Sequence, residues 1–294
     1  YNEKLQAGLG AGVAETGFIS EEGQARTVSS LTRFRRLISQ CGAQNVHAFA
    51  TAAARDARNG SKFLQAAEAA LGADIRVLSG QEEAHFAAVG IRSGFYKPTG
   101  LVGDMGGGSV EVLRIRKGDF SNGMTMPLGG LRLHHDSGGD PEKAAKIARQ
   151  ALAKSKAVEK ANGGDFFAVG GTWRNIATLH MAQNDYPLRV IHDYQLSRED
   201  AESFCHRLVK GEQDEMAGIG SVSGNRRRLL PIGAAVLREC LTAMDAKRVR
   251  FSAVGVREGF LHDALSAEIA QLDPLLSAAH NLAYLRARSV GHAL

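Results

Sequence analysis

The stretch that most constrains this chain is Leu101-Val-Gly-Asp-Met-Gly-Gly-Gly-Ser-Val-Glu-Val-Leu-Arg-Ile-Arg116. An apolar run brings Asp104 to its end, three glycines turn the backbone, and an alternating run carries Glu111 back, which predicts a hairpin. Three consecutive glycines permit backbone conformations and a close ligand approach that Cβ-bearing residues resist. The N–H groups of Gly106, Gly107 and Gly108 can then form a concave anion site. Acidic neighbours repel phosphate unless a divalent cation lies between, and hard cations such as Mg²⁺ take carboxylate and phosphate oxygens together. Asp104 and Glu111 suit that task. A Walker A loop needs a Lys-Ser or Lys-Thr pair and a helix behind its glycines, and a dinucleotide fingerprint needs a helix there too. Here Ser109 opens what reads as a strand. Taken alone, the segment also fits an ordinary glycine-rich hairpin turn with a solvated Asp104.

At 294 residues the chain predicts two domains. Hydrophobic content of 44% supplies sizeable cores and 23% charged residues suits a soluble protein. No apolar run is long enough to span a bilayer, and no signal peptide is evident. Cys41, Cys205 and Cys240 are widely spaced and outside metal-binding patterns, which suggests reduced thiols and a cytoplasmic setting. A net charge of +5 fits an anionic ligand. Nucleic acid fits less well, because no aromatic residues interleave with a basic stripe.

Periodicity predicts helices over 24–40, 61–71 and 79–94, and strands over 46–50 and 75–78. Residues 134–141 read as an exposed loop before a helix over 141–160. A strand at 166–169 runs through Gly170-Gly171-Thr172 into a helix, a further helix covers 231–244, and a strand at 250–254 precedes a helix over 257–265. Residues 268–294 are expected to be helical. Alternating strands and helices predict an α/β fold.

Local physics separates two adjacent carboxylates. Ser79 followed three residues later by Glu82 is a capping box, which occupies Glu82 at the helix start. Glu83 points about 100° further round and is the better general base. Its other reading is a solvated first-turn glutamate favoured by the helix dipole. Gly170, Gly171 and Thr172 lie at a strand-to-helix junction whose free N–H groups favour phosphate, while Thr172 also fits a simple N-cap. Arg55 and Arg257 each follow a strand, where they can clamp phosphate oxygens. Arg226, Arg227 and Arg228 fit either a polyanion track or a solvated basic face. His134 and His135 lack metal-ligand spacing and are assigned no role.

In this order the segments resemble the exopolyphosphatase/guanosine pentaphosphate phosphohydrolase family of the actin-like ATPase superfamily. The resemblance is carried by Ala50-Thr51-Ala-Ala-Ala-Arg55-Asp56, Leu78-Ser-Gly-Gln-Glu-Glu83-Ala84 and Gly103-Asp-Met-Gly-Gly-Gly-Ser-Val-Glu111. It continues in Pro127-Leu-Gly-Gly-Leu-Arg132, Ala168-Val-Gly-Gly-Thr-Trp-Arg-Asn-Ile176, Asn225-Arg-Arg-Arg228 and Gly255-Val-Arg-Glu-Gly259. It covers about residues 1–265. It implies two ribonuclease-H-like α/β domains around a cleft, here residues 1–97 and 98–267, with 268–294 opening a helical C-terminal region. It further implies that Glu83 is the catalytic glutamate and that Asp104 and Glu111 hold Mg²⁺, with Mn²⁺ as the alternative cation. Gly106 to Ser109 and Gly170 to Thr172 become phosphate loops, and Arg55 and Arg257 phosphate-facing arginines. The expected substrate is inorganic polyphosphate or guanosine pentaphosphate, and the resemblance makes a homodimer plausible.

Two departures stand against the pattern. The family begins with a strand and a first phosphate loop that this chain lacks before Tyr1, and the tail resembles a helical region cut short. A fragment of a longer protein is therefore expected, with weak activity if these residues stood alone. A catalytically silent phosphate or nucleotide sensor is the reading from another class. A sugar kinase of the superfamily fits less well, since it would place its acidic base elsewhere.

Overall fold

The computed structural model describes residues 5, 7–120, 123–161 and 163–293. The N-terminal part comprises α1 (Leu9–Thr16), α2 (Glu21–Gln40), β1 (Ala48–Ala50), α3 (Ala52–Asp56), α4 (Gly60–Leu71) and β2 (Ile75–Val77). Strands β1 and β2 pair in parallel, with Ala48 opposite Ile75. Their small core gathers Ile19, Ala54, Phe63 and Ala67 under Leu9, Val13 and Leu31. Helix α2 begins at Glu21, earlier than its apolar period suggests, because the Ser20 side chain caps it. Helix α1 has no strong apolar period and buries no residue fully. It forms by packing against α3 and against a helix of the second part.

Helix α5 (Gly80–Gly94) leads into the larger sheet. That sheet holds β3 (Gly100–Met105), β4 (Val110–Arg116), β5 (Asp119–Phe120), β6 (Met124–Met126), β7 (Asp165–Val169), β8 (Tyr194–Ser197) and β9 (Arg248–Phe251). The strand order is β5-β4-β3-β7-β9-β8, with β6 paired to β4. Parallel strands β3, β7 and β9 form the centre, and antiparallel β4 and β8 flank them. Buried on both faces, the central strands read as continuous apolar runs such as Phe166-Phe-Ala-Val169.

One face carries α6 (Gly130–Asp136), α7 (Pro141–Leu152), α8 (Lys156–Lys160), α9 (Gly171–Gln183), α10 (Arg198–Val209), α11 (Gly224–Arg227) and α12 (Leu230–Ala243). Trp173 is fully buried there, edge-on to Phe166, and its indole N–H donates to the Gly233 carbonyl at 2.9 Å. The other face is covered by α5, whose Ala84, Ala87, Ala88 and Ile91 join Val102, Leu113 and Phe167 in one core. Behind α5 lies α13 (Val256–Asp263), and α14 (Ala267–Ala270), α15 (Pro274–Arg286) and α16 (Val290–Ala293) finish the chain. Among the described residues, no helix is long and apolar enough to cross a membrane.

Two expectations are corrected. Residues 134–136 are not loop but the end of α6, so the loop is confined to 137–140. The helix expected over 141–160 breaks at Ala153–Ser155, where the Ser155 side chain caps α8.

Candidate active site

The first turn of α5 sorts its two glutamates. Ser79 Oγ accepts from the Glu82 N–H at 3.3 Å, while the Glu82 carboxylate accepts from the Ser79 N–H at 2.8 Å. With Arg76 also bound to it, Glu82 is held down at about 2, chiefly by the Ser79 backbone hydrogen bond. Glu83 instead points inward and is only 7% exposed. Burial pushes its carboxyl above the ordinary range, against the opposing hydrogen bond and charge of Arg55. Arg55 Nη1 donates to Glu83 Oε1 at 2.5 Å and to the Leu78 carbonyl at 2.6 Å, and Arg55 Nε donates to Asp56 at 3.1 Å.

The β3–β4 hairpin places Asp104 directly opposite Glu111, so both carboxylates share one face at the sheet's end. Glu111 is 2% exposed and is pushed up to about 8, first by burial and then by the charges of Glu83 and Asp104. Its Oε1 is buried without a partner. Asp104 is raised to about 6 by burial, with Arg174 opposing the shift and Glu83 adding to it. Three carboxylates thus lie within one another's electrostatic reach. Among the described residues, no three acidic, His or Cys side chains converge closely enough to hold a metal ion unaided.

The glycine loop joins this cluster. None of Gly106, Gly107 and Gly108 takes a positive φ, so the backbone freedom expected of them is not what the turn uses. Close approach is. The N–H of Gly130 donates to the Gly106 carbonyl at 3.0 Å, and those of Leu131 and Arg132 to the Gly107 carbonyl at 2.9 and 3.1 Å. A Cβ on Gly129 would lie 2.3 Å from Ser109 N. With the carbonyls held by α6, the N–H groups of Gly107 and Gly108 have no backbone acceptor among the described residues.

A cleft of about 360 Å³ joins Glu83 to the glycine loop, while Arg55, Asp104 and Glu111 are not among its lining residues. Glu83, Gly106, Gly107, Gly108 and Ser109 line it together with Asp56, Arg132, His135, Asp136 and α1 residues Val13 and Ala14. Arg132 ends the Pro127-Leu-Gly-Gly-Leu-Arg132 segment without an assigned role, and His135 and α1 carry no motif chemistry. They enter because α6 packs against both the glycine loop and α1, a tertiary fact with no local signal.

The remaining candidates lie around this centre. Gly170 (φ 110) caps α9, and a Cβ there would sit 2.3 Å from the Met105 carbonyl. Thr172 is therefore inside the first turn and is not the N-cap. Arg174 follows it, donating to the carbonyls of Gly170 at 3.3 Å and Ala253 at 3.0 Å beside Asp104. The sequence reading gave it no role, although it stands two residues beyond Thr172. Arg257 is 56% exposed and makes a 3.5 Å contact with Glu258. Arg226, Arg227 and Arg228 diverge. Arg226 bears on Arg174, Arg227 Nε donates to the Val222 carbonyl at 2.7 Å, and Arg228 bears on His134.

Known proteins resemble this chain in sequence and fold. The model of the Ppx/GppA phosphatase family matches residues 1–268. Retrograde regulation protein 2 of Saccharomyces cerevisiae is 28% identical over 284 residues, covering 87% of this chain and 48% of that protein. The chain thus spans about half the length of that relative. Exopolyphosphatase 2 of Mycobacterium tuberculosis is 26% identical over 278 residues, covering 89% of this chain and 86% of that one. The crystal structure of an exopolyphosphatase from Cytophaga hutchinsonii superposes with a TM-score of 0.79 at 23% identity over 90% of each chain, a likeness that shows the fold. The fold is the two-domain actin-like α/β architecture, and the chain belongs to the Ppx/GppA phosphatase family.

Proposed function

We propose that this chain is an exopolyphosphatase, hydrolysing the terminal phosphoanhydride of inorganic polyphosphate in the cleft between α1, α5 and the glycine loop. One observation carries the reading. A buried carboxylate, Glu83, lines the same cleft as Gly107 and Gly108, whose N–H groups have no backbone acceptor among the described residues. The N–H groups would hold the oxygens of the terminal phosphoryl group, and Glu83 would orient a water for in-line attack and take its proton. Arg55 opposes the protonation that burial favours and aims Glu83, since Nη1 spans Glu83 and the Leu78 carbonyl. Its Nη2, which has no partner among the described residues, is left for the substrate.

The acidic pair fits Mg²⁺, with Mn²⁺ as the alternative. The donors are all oxygens, and Glu111 Oε1 is buried and unpartnered, an arrangement that costs free energy until a partner arrives. Mg²⁺ characteristically takes one or two carboxylates and completes its shell with water and phosphate, which suits a site short of three protein ligands. Asp104 and Glu111 would hold the ion, which supplies charge neutralisation on the phosphate oxygens. Without it, Glu83, Asp104 and Glu111 would repel a polyanion.

A second reading rests on the apolar part of the wall, where Val13, Ala14 and Leu131 offer contact to a base. It is removal of the 5′-terminal phosphate from guanosine pentaphosphate. Phosphate release from long-chain polyphosphate and from guanosine pentaphosphate, assayed side by side with Mg²⁺, decides between them. Faster release from polyphosphate supports the exopolyphosphatase, and faster release from the nucleotide supports the second reading. Silence on both, with binding retained, would make the chain a sensor.

A further inference from the structure

Helix α5 carries Glu83 in its first turn and Arg92 in its last, which at 1.5 Å per residue are roughly 14 Å apart along the axis. At the Arg92 end a cavity of about 400 Å³ opens between α5, the β4–β5 turn and the start of α15. Arg92, Lys97 and Lys117 line it, with Asp119, Tyr96 and Leu272. Three cations therefore face one carboxylate. Among the described residues, none of the three makes an ion pair.

Arg92 Nε is buried without a partner, and so is His262 Nδ1 on α13, the helix packed against α5. After burial itself, the Arg92 charge holds the His262 imidazole below its ordinary range. Native interiors seldom leave a buried donor unpaired, and Arg92 Nε calls for a ligand or an ordered water.

The backbone is also set against local preference. Lys117 (φ 53) and Gly118 (φ 89) form the tight β4–β5 turn, where Asn or Asp is favoured in the place that lysine takes. Lys97 (φ 44) precedes Pro98, where such backbone is crowded. Both lysines hold left-handed conformations that β-carbons resist. The Gly118 N–H donates to the Pro98 carbonyl at 3.0 Å and the Lys117 N–H to Thr99 Oγ1 at 2.9 Å, tying the two lysine segments together.

We propose that the cavity formed by Arg92, Lys97 and Lys117 is an oxyanion site for phosphate groups, separate from the cleft of Glu83. Convergent cations around a small concave space suit a compact, multiply charged anion. Lys97 Nζ lies over the Tyr96 ring at 4.9 Å. Binding here does not depend on chemistry at Glu83.

The test is calorimetric titration of orthophosphate, and separately of tripolyphosphate, into the full chain and into a Lys97→Asn/Lys117→Asn variant, without divalent metal. Asparagine tolerates left-handed backbone, so the variant loses charge and keeps its turns. The expected result is a binding event weakened at least tenfold in the variant, with any second event at the main cleft preserved. Loss seen with orthophosphate identifies free phosphate as the ligand, and loss confined to tripolyphosphate identifies a chain. Isotherms unaltered by the double substitution, or no binding to the unsubstituted chain, would overturn the proposal. The readout is binding and not turnover, so a failure of catalysis at Glu83 leaves the result interpretable.

Discussion

Glu82 and Glu83 are neighbours in sequence, yet their surroundings drive their protons in opposite directions. Ser79 and Arg76 hold Glu82 ionised at about 2, whereas burial raises Glu83. Glu83→Gln is therefore expected to lower phosphate release about 10²–10⁴-fold while a thermal melt still shows a folded protein. Glu82→Gln should stay within a few-fold of the unsubstituted rate and keep the cap, because the amide oxygen still accepts from the Ser79 N–H. Equal losses in the two variants would contradict these roles. Their separation was legible in the sequence, because a capping box is local. The Arg55 contact with Glu83 was not, since it joins residues 28 apart in sequence. Nor was the nearness of Arg174 to Asp104, which depends on β7 pairing with β3.

Paired strands and crossing helices set the next scale. Asp104 and Glu111 are raised to about 6 and about 8, so the folded chain holds protons that the unfolded chain releases. The stability this confers is fully present below the unfolded values and is lost as pH rises through the folded ones. Without divalent metal, the melting temperature should fall between about pH 4.5 and about pH 8. Glu111→Gln should flatten that fall and raise the melting temperature at its alkaline end. A flat profile for the unsubstituted chain would contradict the burial of this pair. At the β7–α9 junction, Gly170→Ala should cost about 3 kcal/mol, because it needs positive φ and strikes the Met105 carbonyl. Gly171→Ala, with open space around it, should be nearly neutral, and chemical denaturation of both variants checks the contrast. Strand and helix types were readable wherever periodicity was strong. Helix α6 was not, because Gly-Gly-Leu-Arg-Leu-His-His begins with two glycines and relies on the Gly106 and Gly107 carbonyls as acceptors. Edge strand β8 was missed as well, since Tyr194–Ser197 is short and pairs only with β9.

Across the whole molecule, α5 links the chemistry to the frame. It buries one side against β3 and β4 and crosses α13 so closely that a Cβ on Gly259 would lie 1.8 Å from the Phe86 carbonyl. The first turn that carries Glu83 is thus held by two elements distant in sequence. The α/β architecture and the order of the motifs were visible in the sequence. The shape of the cleft was not, because α1, with its weak pattern, closes one wall. The central claim is that this cleft hydrolyses phosphoanhydrides through Glu83. The most direct measurement is the rate of orthophosphate release from long-chain polyphosphate with Mg²⁺, for the unsubstituted chain and for Glu83→Gln under the same conditions. The prediction is steady release that the substitution lowers about 10²–10⁴-fold while tripolyphosphate still binds. Release that survives Glu83→Gln unchanged would contradict it.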